Sequence, residues 1–330
     1  MFTIDIHTHI LPEKIPDFGK KFGYGGFVSL QHHKPCCAKM MIDDKFFREI
    51  EDNCWSAEKR IKECDHHHVN VQVLSTVPVM FNYWAKPKDC LELSQFLNDH
   101  IAKIIHRYPK RFIGLGTVPL QSPELAIQEL ERCMKIGLAG VQIGSHVVDD
   151  WNLGSISLFP FFEAADKLGA AVFVHPWDMA GQERMQRYWL PWLVGMPTET
   201  SLAICSMIFG GVFERLPKLR VAFAHGAIGR IEHGFHSRPD LVAIHNDINP
   251  RKYLGNFFVD SLVHDAPMLE YIVKLFGANR VALGTDYPFP LGEIEPAKLI
   301  RNMSFDNHTK ELLLSGSALE WLGLSKNIFL

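Results

Sequence analysis

Two histidines one residue apart, His7 and His9, lie in Asp5-Ile6-His7-Thr8-His9 near the start of the 330-residue chain. The preceding Phe2-Thr3-Ile4 reads as a strand, and successive strand side chains alternate faces, so both imidazoles project the same way. Imidazoles one pleat apart can close on one metal ion when further ligands come from elsewhere, and histidine suits zinc and related metals. In a chain with 17 histidines the pair gains weight from three later residues in matching contexts. His175 ends Ala170-Ala171-Val172-Phe173-Val174-His175, and His225 ends Arg220-Val221-Ala222-Phe223-Ala224-His225. Asp286 ends Arg280-Val281-Ala282-Leu283-Gly284-Thr285-Asp286. Each apolar run closes on one metal-competent side chain and is followed by Pro, Gly or Tyr-Pro.

Runs of this kind, rich in Val, Ala and Leu, are how parallel strands covered by helices read. Strand patterns fall at Phe2 to Ile6, Val69 to Thr76, Phe112 to Val118, Gly140 to Ile143, Ala170 to His175, Leu219 to His225, Asn256 to Asp260 and Val281 to Asp286. Helical patterns separate most of them, as at Leu91 to Tyr108, Pro123 to Ile136 and Phe159 to Leu168. Eight strands alternating with helices predict an α/β fold, a (β/α)8 TIM barrel forming one domain over residues 1–330. In such a barrel all strand C-termini meet at one rim, where residues distant in sequence converge. No GxGxxG or GxxxxGK[ST] turn follows a strand, which argues against an open nucleotide-binding sheet.

Two connections are too long for single helices: Leu11 to Cys54 after the first strand and Trp177 to Gly210 after the fifth. Both leave from the predicted metal rim, and long loops there are expected to wall a pocket. They carry Phe46-Phe47-Arg48 and Tyr188-Trp189-Leu190-Pro191-Trp192.

Bulk properties narrow the function. A net charge of -3 gives no electrostatic case for nucleic acid or an anionic membrane. No run approaches the roughly 18 to 20 consecutive apolar residues of a membrane span. The first residues lack the pattern of a secretory signal, so a cytoplasmic protein is expected. The seven cysteines are odd in number and form no CxxC pair, which predicts reduced thiols. Cys36-Cys37 beside His32-His33 reads as a loop. His66-His67-His68, after the charged Glu58-to-Asp65 stretch, reads as an exposed helix end.

His7, His9, His175 and Asp286 would place three imidazoles and one carboxylate around a metal, with room for water or substrate. Bound metal can lower the pKa of water toward roughly 7. His225, at another strand end, is then the natural general acid/base. The fourth strand, Val141-Gln142-Ile143-Gly144, offers no lysine to bridge two ions, so one metal is expected.

With these residues in place, the chain resembles the amidohydrolase superfamily nearly end to end. The likeness rests on Asp5-Ile6-His7-Thr8-His9-Ile10-Leu11-Pro12, Lys21-Phe22-Gly23-Tyr24-Gly25-Gly26 and Ser75-Thr76-Val77-Pro78-Val79-Met80-Phe81. It continues through His175-Pro176-Trp177-Asp178, the block from Tyr188 to Pro197, and Gly284-Thr285-Asp286-Tyr287-Pro288-Phe289-Pro290-Leu291-Gly292. The last two stretches are the specific ones, since HxH and Thr-Asp alone are widespread in the superfamily.

The resemblance is to members that release CO2 from an acidic, conjugated semialdehyde without oxidation or an organic cofactor. It implies one Zn2+ per subunit held by His7, His9, His175 and Asp286, with His225 as the acid/base. Arg48 would grip a substrate carboxylate, while Arg238 would reach into the neighbouring subunit's site of a homodimer. Guanidinium groups bind carboxylates bidentately and stay charged. Trp189 and Phe289 would lie near the pocket. A metal-dependent hydrolase of a cyclic amide or lactone is the second reading. A third follows from His225-Gly226-Ala227-Ile228-Gly229-Arg230-Ile231, several residues shorter than the superfamily pattern: a metal-bound subunit with impaired turnover.

Overall fold

The computed structural model describes residues 1–329 apart from 149–150, 188–189, 225–234, 237–238, 240–242 and 244–245. Its strands are β1 (Ile4–His9), β2 (Val28–Lys34), β3 (Cys37–Ile42), β4 (Lys45–Glu51), β5 (Val71–Ser75), β6 (Phe112–Gly116), β7 (Gly140–Gly144), β8 (Ala171–His175), β9 (Arg220–Phe223), β10 (Phe258–Asp260) and β11 (Val281–Ala282). Eight of them form one parallel sheet in the order β1-β5-β6-β7-β8-β9-β10-β11. The ends meet: the Ile6 N–H donates to Leu283 O and the His9 N–H to Tyr287 O, each at 2.8 Å. The protein is therefore a (β/α)8 TIM barrel.

β1 runs through His9 instead of stopping at Ile6, because the polar residues from Asp5 onward are paired on both sides by neighbouring strands. The strand is irregular between Asp5 and Thr8, so the simple alternation argument holds only from His7 to His9.

The covering helices follow from their sequence. Pro87–Arg107 starts on a proline with Asp89 in its first turn, ends on His106 and Arg107, and buries Leu93, Leu97, Ile101 and Ile105. That is an apolar stripe at three- and four-residue spacing with charges matched to the helix dipole. The barrel interior is filled by Ile4, Ile6, Val71, Val73, Ile113, Leu115, Phe173 and Phe258. Trp321, fully buried, closes this core from the C-terminal helix Ser317–Leu322.

Both long connections have structure of their own, which period and composition did not reveal. The first folds as an antiparallel sheet, β2-β3-β4, with Met40 opposite Arg48. Its apolar face packs Phe27, Ala38, Met40 and Ile50 against Leu93 and Leu97. The second carries a continuous helix from Pro191 to Phe209, whose first turn, Pro191–Gly195, is a π-turn. That helix is long and apolar enough to cross a membrane by length and composition, although its polar Thr198-Glu199-Thr200-Ser201 interrupts the apolar run. Glu199 on it is buried and accepts the Ala180 N–H at 2.9 Å.

All seven thiols are free, and Cys36 lies exposed at the turn between β2 and β3. Helix Ala57–His67 ends on His68 in the left-handed region (φ 59°), with His66 and His67 in its last turn.

Candidate active site

Each imidazole of the cluster is anchored through Nδ1. His7 Nδ1 lies 2.8 Å from Asp260 Oδ2, His9 Nδ1 3.0 Å from Thr76 O, and His175 Nδ1 2.7 Å from Pro176 O. A carbonyl can only accept, so in His9 and His175 the proton sits on Nδ1 and the Nε2 lone pair is presented to the centre. Asp286 Oδ1 stands 3.2 Å from His9 Nε2 and 3.5 Å from His7 Nε2. One ligand atom from each of His7, His9, His175 and Asp286 falls within 4.8 Å of the others, and all four residues are buried. Burial holds His9 below its usual pKa. Burial also opposes protonation of His7, but the Asp260 hydrogen bond and the carboxylates of Asp286, Asp260 and Asp5 outweigh it and raise that ring. Three oriented nitrogen donors and one carboxylate are the donor set of a divalent transition-metal ion.

Asp286 reaches this position at φ 55°, a left-handed conformation that costs free energy for a residue with a Cβ. Its neighbours hold it there. Thr285 Oγ1 donates to Asp5 Oδ2 at 2.6 Å, and the Phe289 N–H donates to Asp286 O at 3.0 Å. Burial pushes the Asp5 carboxyl up to about 7. Gln142 occupies the middle of β7, where its amide donates to Thr76 O at 2.9 Å and accepts from Ser75 Oγ at 2.7 Å.

The cluster opens into a cavity of about 580 Å³ lined by His9, His175 and Asp286 together with residues of both long connections. Arg48, from β4, projects into it with its guanidinium carbon 4.6 Å from the Phe289 ring centroid and 5.3 Å from that of Phe47. Burial lowers the pKa of Arg48, an effect that the charge of Asp286 offsets. Phe289 in turn lies beside His9, with ring centroids 5.5 Å apart. Trp177, Trp192 and Met179 line the wall built by the second connection. Trp177 is fixed by its Nε1–H donating to His146 O at 2.8 Å and by stacking on the His146 ring.

Six of the expected site residues are thus brought together: His7, His9, His175, Asp286, Arg48 and Phe289. Trp189, His225 and Arg238 lie outside the described residues. The residue before His225 is on the same rim: the Ala224 N–H donates to Val174 O at 3.1 Å, and Ala224 O accepts from Thr200 Oγ1 at 2.6 Å. Two functional neighbours escaped the sequence reading. Asp260, the partner of His7, closes the apolar run Phe257-Phe258-Val259-Asp260, the same signal that marked His175 and Asp286. Arg60 sits in a run of charges that reads as an exposed face, yet it is fully buried.

An amidohydrolase family model matches residues 4–324, and the chain belongs to that family. The chain is 62% identical to the 2-amino-3-carboxymuconate-6-semialdehyde decarboxylase of Dictyostelium discoideum, over 99% of this chain and 93% of the relative. It is 38% identical to the Caenorhabditis elegans enzyme of that name, over 98% and 95%. Among solved structures, a manganese complex of 5-carboxyvanillate decarboxylase from Novosphingobium aromaticivorans superposes with a TM-score of 0.78 at 20% identity, covering 98% of this chain and 96% of that one.

Proposed function

We propose that this protein is a metal-dependent carboxy-lyase that converts 2-amino-3-carboxymuconate 6-semialdehyde into 2-aminomuconate 6-semialdehyde and CO2. The observation that carries the reading is Arg48. It is a cation inside the cavity onto which His9, His175 and Asp286 of the cluster open, packed on aromatic rings and without an ion pair among the described residues. A guanidinium so placed is available to a substrate carboxylate, which a multiply anionic substrate supplies and a neutral lactone does not. The named function of the 62% and 38% identical relatives supports the same substrate.

The ion would be held by His7, His9, His175 and Asp286, one Zn2+ per subunit, and when bound it supplies Lewis acidity and an acidified water. Arg48 orients the substrate through one carboxylate. Phe289 and Trp177 close the apolar sides of the pocket and exclude bulk water. Heterolysis of the C–C bond leaves an electron pair on carbon as CO2 departs, and that carbon takes a proton. His225 is the proposed proton carrier; it follows Ala224 in the chain, whose backbone is hydrogen-bonded to Val174 and Thr200. Trp189 is proposed as a further pocket wall, and Arg238 as the contribution of a second subunit in a homodimer. Cytoplasmic tryptophan catabolism through kynurenine is the proposed setting, where this step limits quinolinate and NAD formation.

The test is turnover of freshly generated substrate by zinc-loaded protein, followed by its near-ultraviolet absorbance, with His225→Ala as control. Loss of absorbance dependent on both zinc and His225 is the expected result. No loss despite bound zinc would overturn the reading in favour of a silent metal-bound subunit. Hydrolysis of a neutral cyclic amide, insensitive to Arg48→Ala, would overturn it in favour of a hydrolase.

A further inference from the structure

We infer that Arg60 is a positioning residue that ties two of the metal-binding segments, β1 and the Asp286 turn, into one rigid unit; this rests on the metal reading above. Helix Ala57–His67 turns Ala57, Arg60 and Cys64 toward the barrel, so one cation of a charged run faces inward. Both terminal nitrogens of Arg60 donate to the same acceptor, His9 O, at 2.9 and 2.8 Å. The guanidinium carbon lies 4.6 Å from the ring centroid of Tyr287, the residue after Asp286. Glu63, on the next turn of the same helix, accepts a hydrogen bond from the Tyr287 hydroxyl. The Tyr287 carbonyl closes the loop by accepting the His9 N–H at 2.8 Å.

The His9 peptide is therefore clamped on both sides, its N–H by Tyr287 and its C=O by Arg60. The Tyr287 side chain is gripped by the same helix. Burying a guanidinium is costly, and the Arg60 Nε–H finds no acceptor among the described residues, so the two terminal nitrogens and the flat face carry its contacts. Here the fork meets one carbonyl and the flat face meets a ring, a combination that a lysine ammonium cannot reproduce. Asp286, held at φ 55°, has the clamped residue as its immediate neighbour, so release of Tyr287 gives the carboxylate room to relax away from His9. The same helix follows β4, the strand of Arg48, after the short turn Asp52–Cys54, so the bracket lies in sequence next to the substrate-binding segment.

The experiment titrates Co2+ into metal-free wild type, Arg60→Met, Arg60→Lys and Tyr287→Phe. The visible cobalt absorption bands report ligand geometry, and thermal unfolding of each metal-free protein is recorded alongside. Trp321→Ala, a destabilised variant on the barrel floor that makes no contact with the bracket, is the control. Arg60→Met is expected to bind Co2+ about 10- to 100-fold more weakly with altered bands, the usual effect of removing support behind a ligand. Arg60→Lys should restore little of this, and Tyr287→Phe should weaken binding about 3-fold, while Trp321→Ala binds as wild type does. Wild-type affinity and bands in Arg60→Met and Tyr287→Phe would overturn the inference and leave the metal reading standing. If Arg60→Met does not fold, Tyr287→Phe decides alone. Failure of the wild type itself to bind Co2+ would overturn both.

Discussion

The two ends of the barrel are built on opposite principles. The rim buries many polar groups: Thr8, His9, Ser75, Thr76, Gln142, Ser145, His175, Thr285 and Asp286 are all buried. The floor buries Ile4, Val71, Ile113, Ala222 and Phe258 under Trp321. One column of rings joins them, with His7 5.2 Å from Phe173 and Phe173 5.8 Å from Trp321. Rim groups spend their hydrogen bonds on each other and on strand-end carbonyls, which orients them but leaves a non-glycine residue at positive φ. The floor has only apolar contact to offer, and that is where stability comes from. Function and stability are thereby separated along one axis, and each end can be disturbed alone.

The sharpest break at the rim is His175→Ala. It should lower kcat/KM on the order of 10^4-fold and abolish stoichiometric metal binding. The metal-free protein should unfold at nearly the wild-type temperature, because the floor is untouched. Loss of folding in that variant would show that the two ends are not separable. Trp321→Ala is the converse. Truncating a fully buried aromatic costs about 3 to 5 kcal/mol, read as a shift in the urea midpoint, while folded protein keeps full metal occupancy and pocket chemistry. Metal loss in step with stability would instead make Phe173 a lever acting on His7.

Arg48→Ala sharpens the picture within the rim itself. Removal of a charge-assisted contact to one carboxylate should cost about 10- to 100-fold in kcat/KM, mostly as a higher KM, with metal content unchanged. A lower kcat at constant KM would mean that Arg48 acts on the reacting atoms and not on substrate binding.

How much of this the chain announces follows from the same division. The floor and the strand ends are legible, since continuous apolar runs closing on His175 or Asp286 have one sensible reading in a parallel barrel. The antiparallel β2-β3-β4 insertion is not, because Lys39, Lys45, Glu49 and Glu51 on its exposed face break the apolar signal while Ala38, Met40 and Ile50 are buried behind them. Arg60 is hidden for a related reason: Glu58, Lys59, Lys62 and Glu63 surround it, and nothing local marks which of these charges turns inward. Residues that depend on the closing of the barrel, such as Asp260 against His7 across 253 positions, become visible only once the rim is assembled.

The smallest effect expected concerns how the rim side tolerates acid. His100, on helix Pro87–Arg107, has its pKa pushed down to about 4 by burial and by nearby Lys103, partly offset by a hydrogen bond with the Leu11 backbone just beyond His9. Its Nε2 finds no partner among the described residues. The unfolded chain titrates this ring near 6.5, so between 6.5 and 4 the unfolded state binds the extra proton. Above 6.5 the ring is neutral in both states and its titration contributes nothing, and stability is lost as pH falls through the window until both states are charged below about 4. The full linkage would be about 3 kcal/mol, and partial exposure of the ring reduces it to about 1 to 2 kcal/mol. His100→Gln keeps a donor for Leu11 and removes the titration. Urea unfolding of the metal-free proteins at pH 7 and pH 4.5 should therefore show a smaller acid loss in the variant, by about 1 to 2 kcal/mol. Equal losses would show that protonation of His100 is not the source of the acid sensitivity.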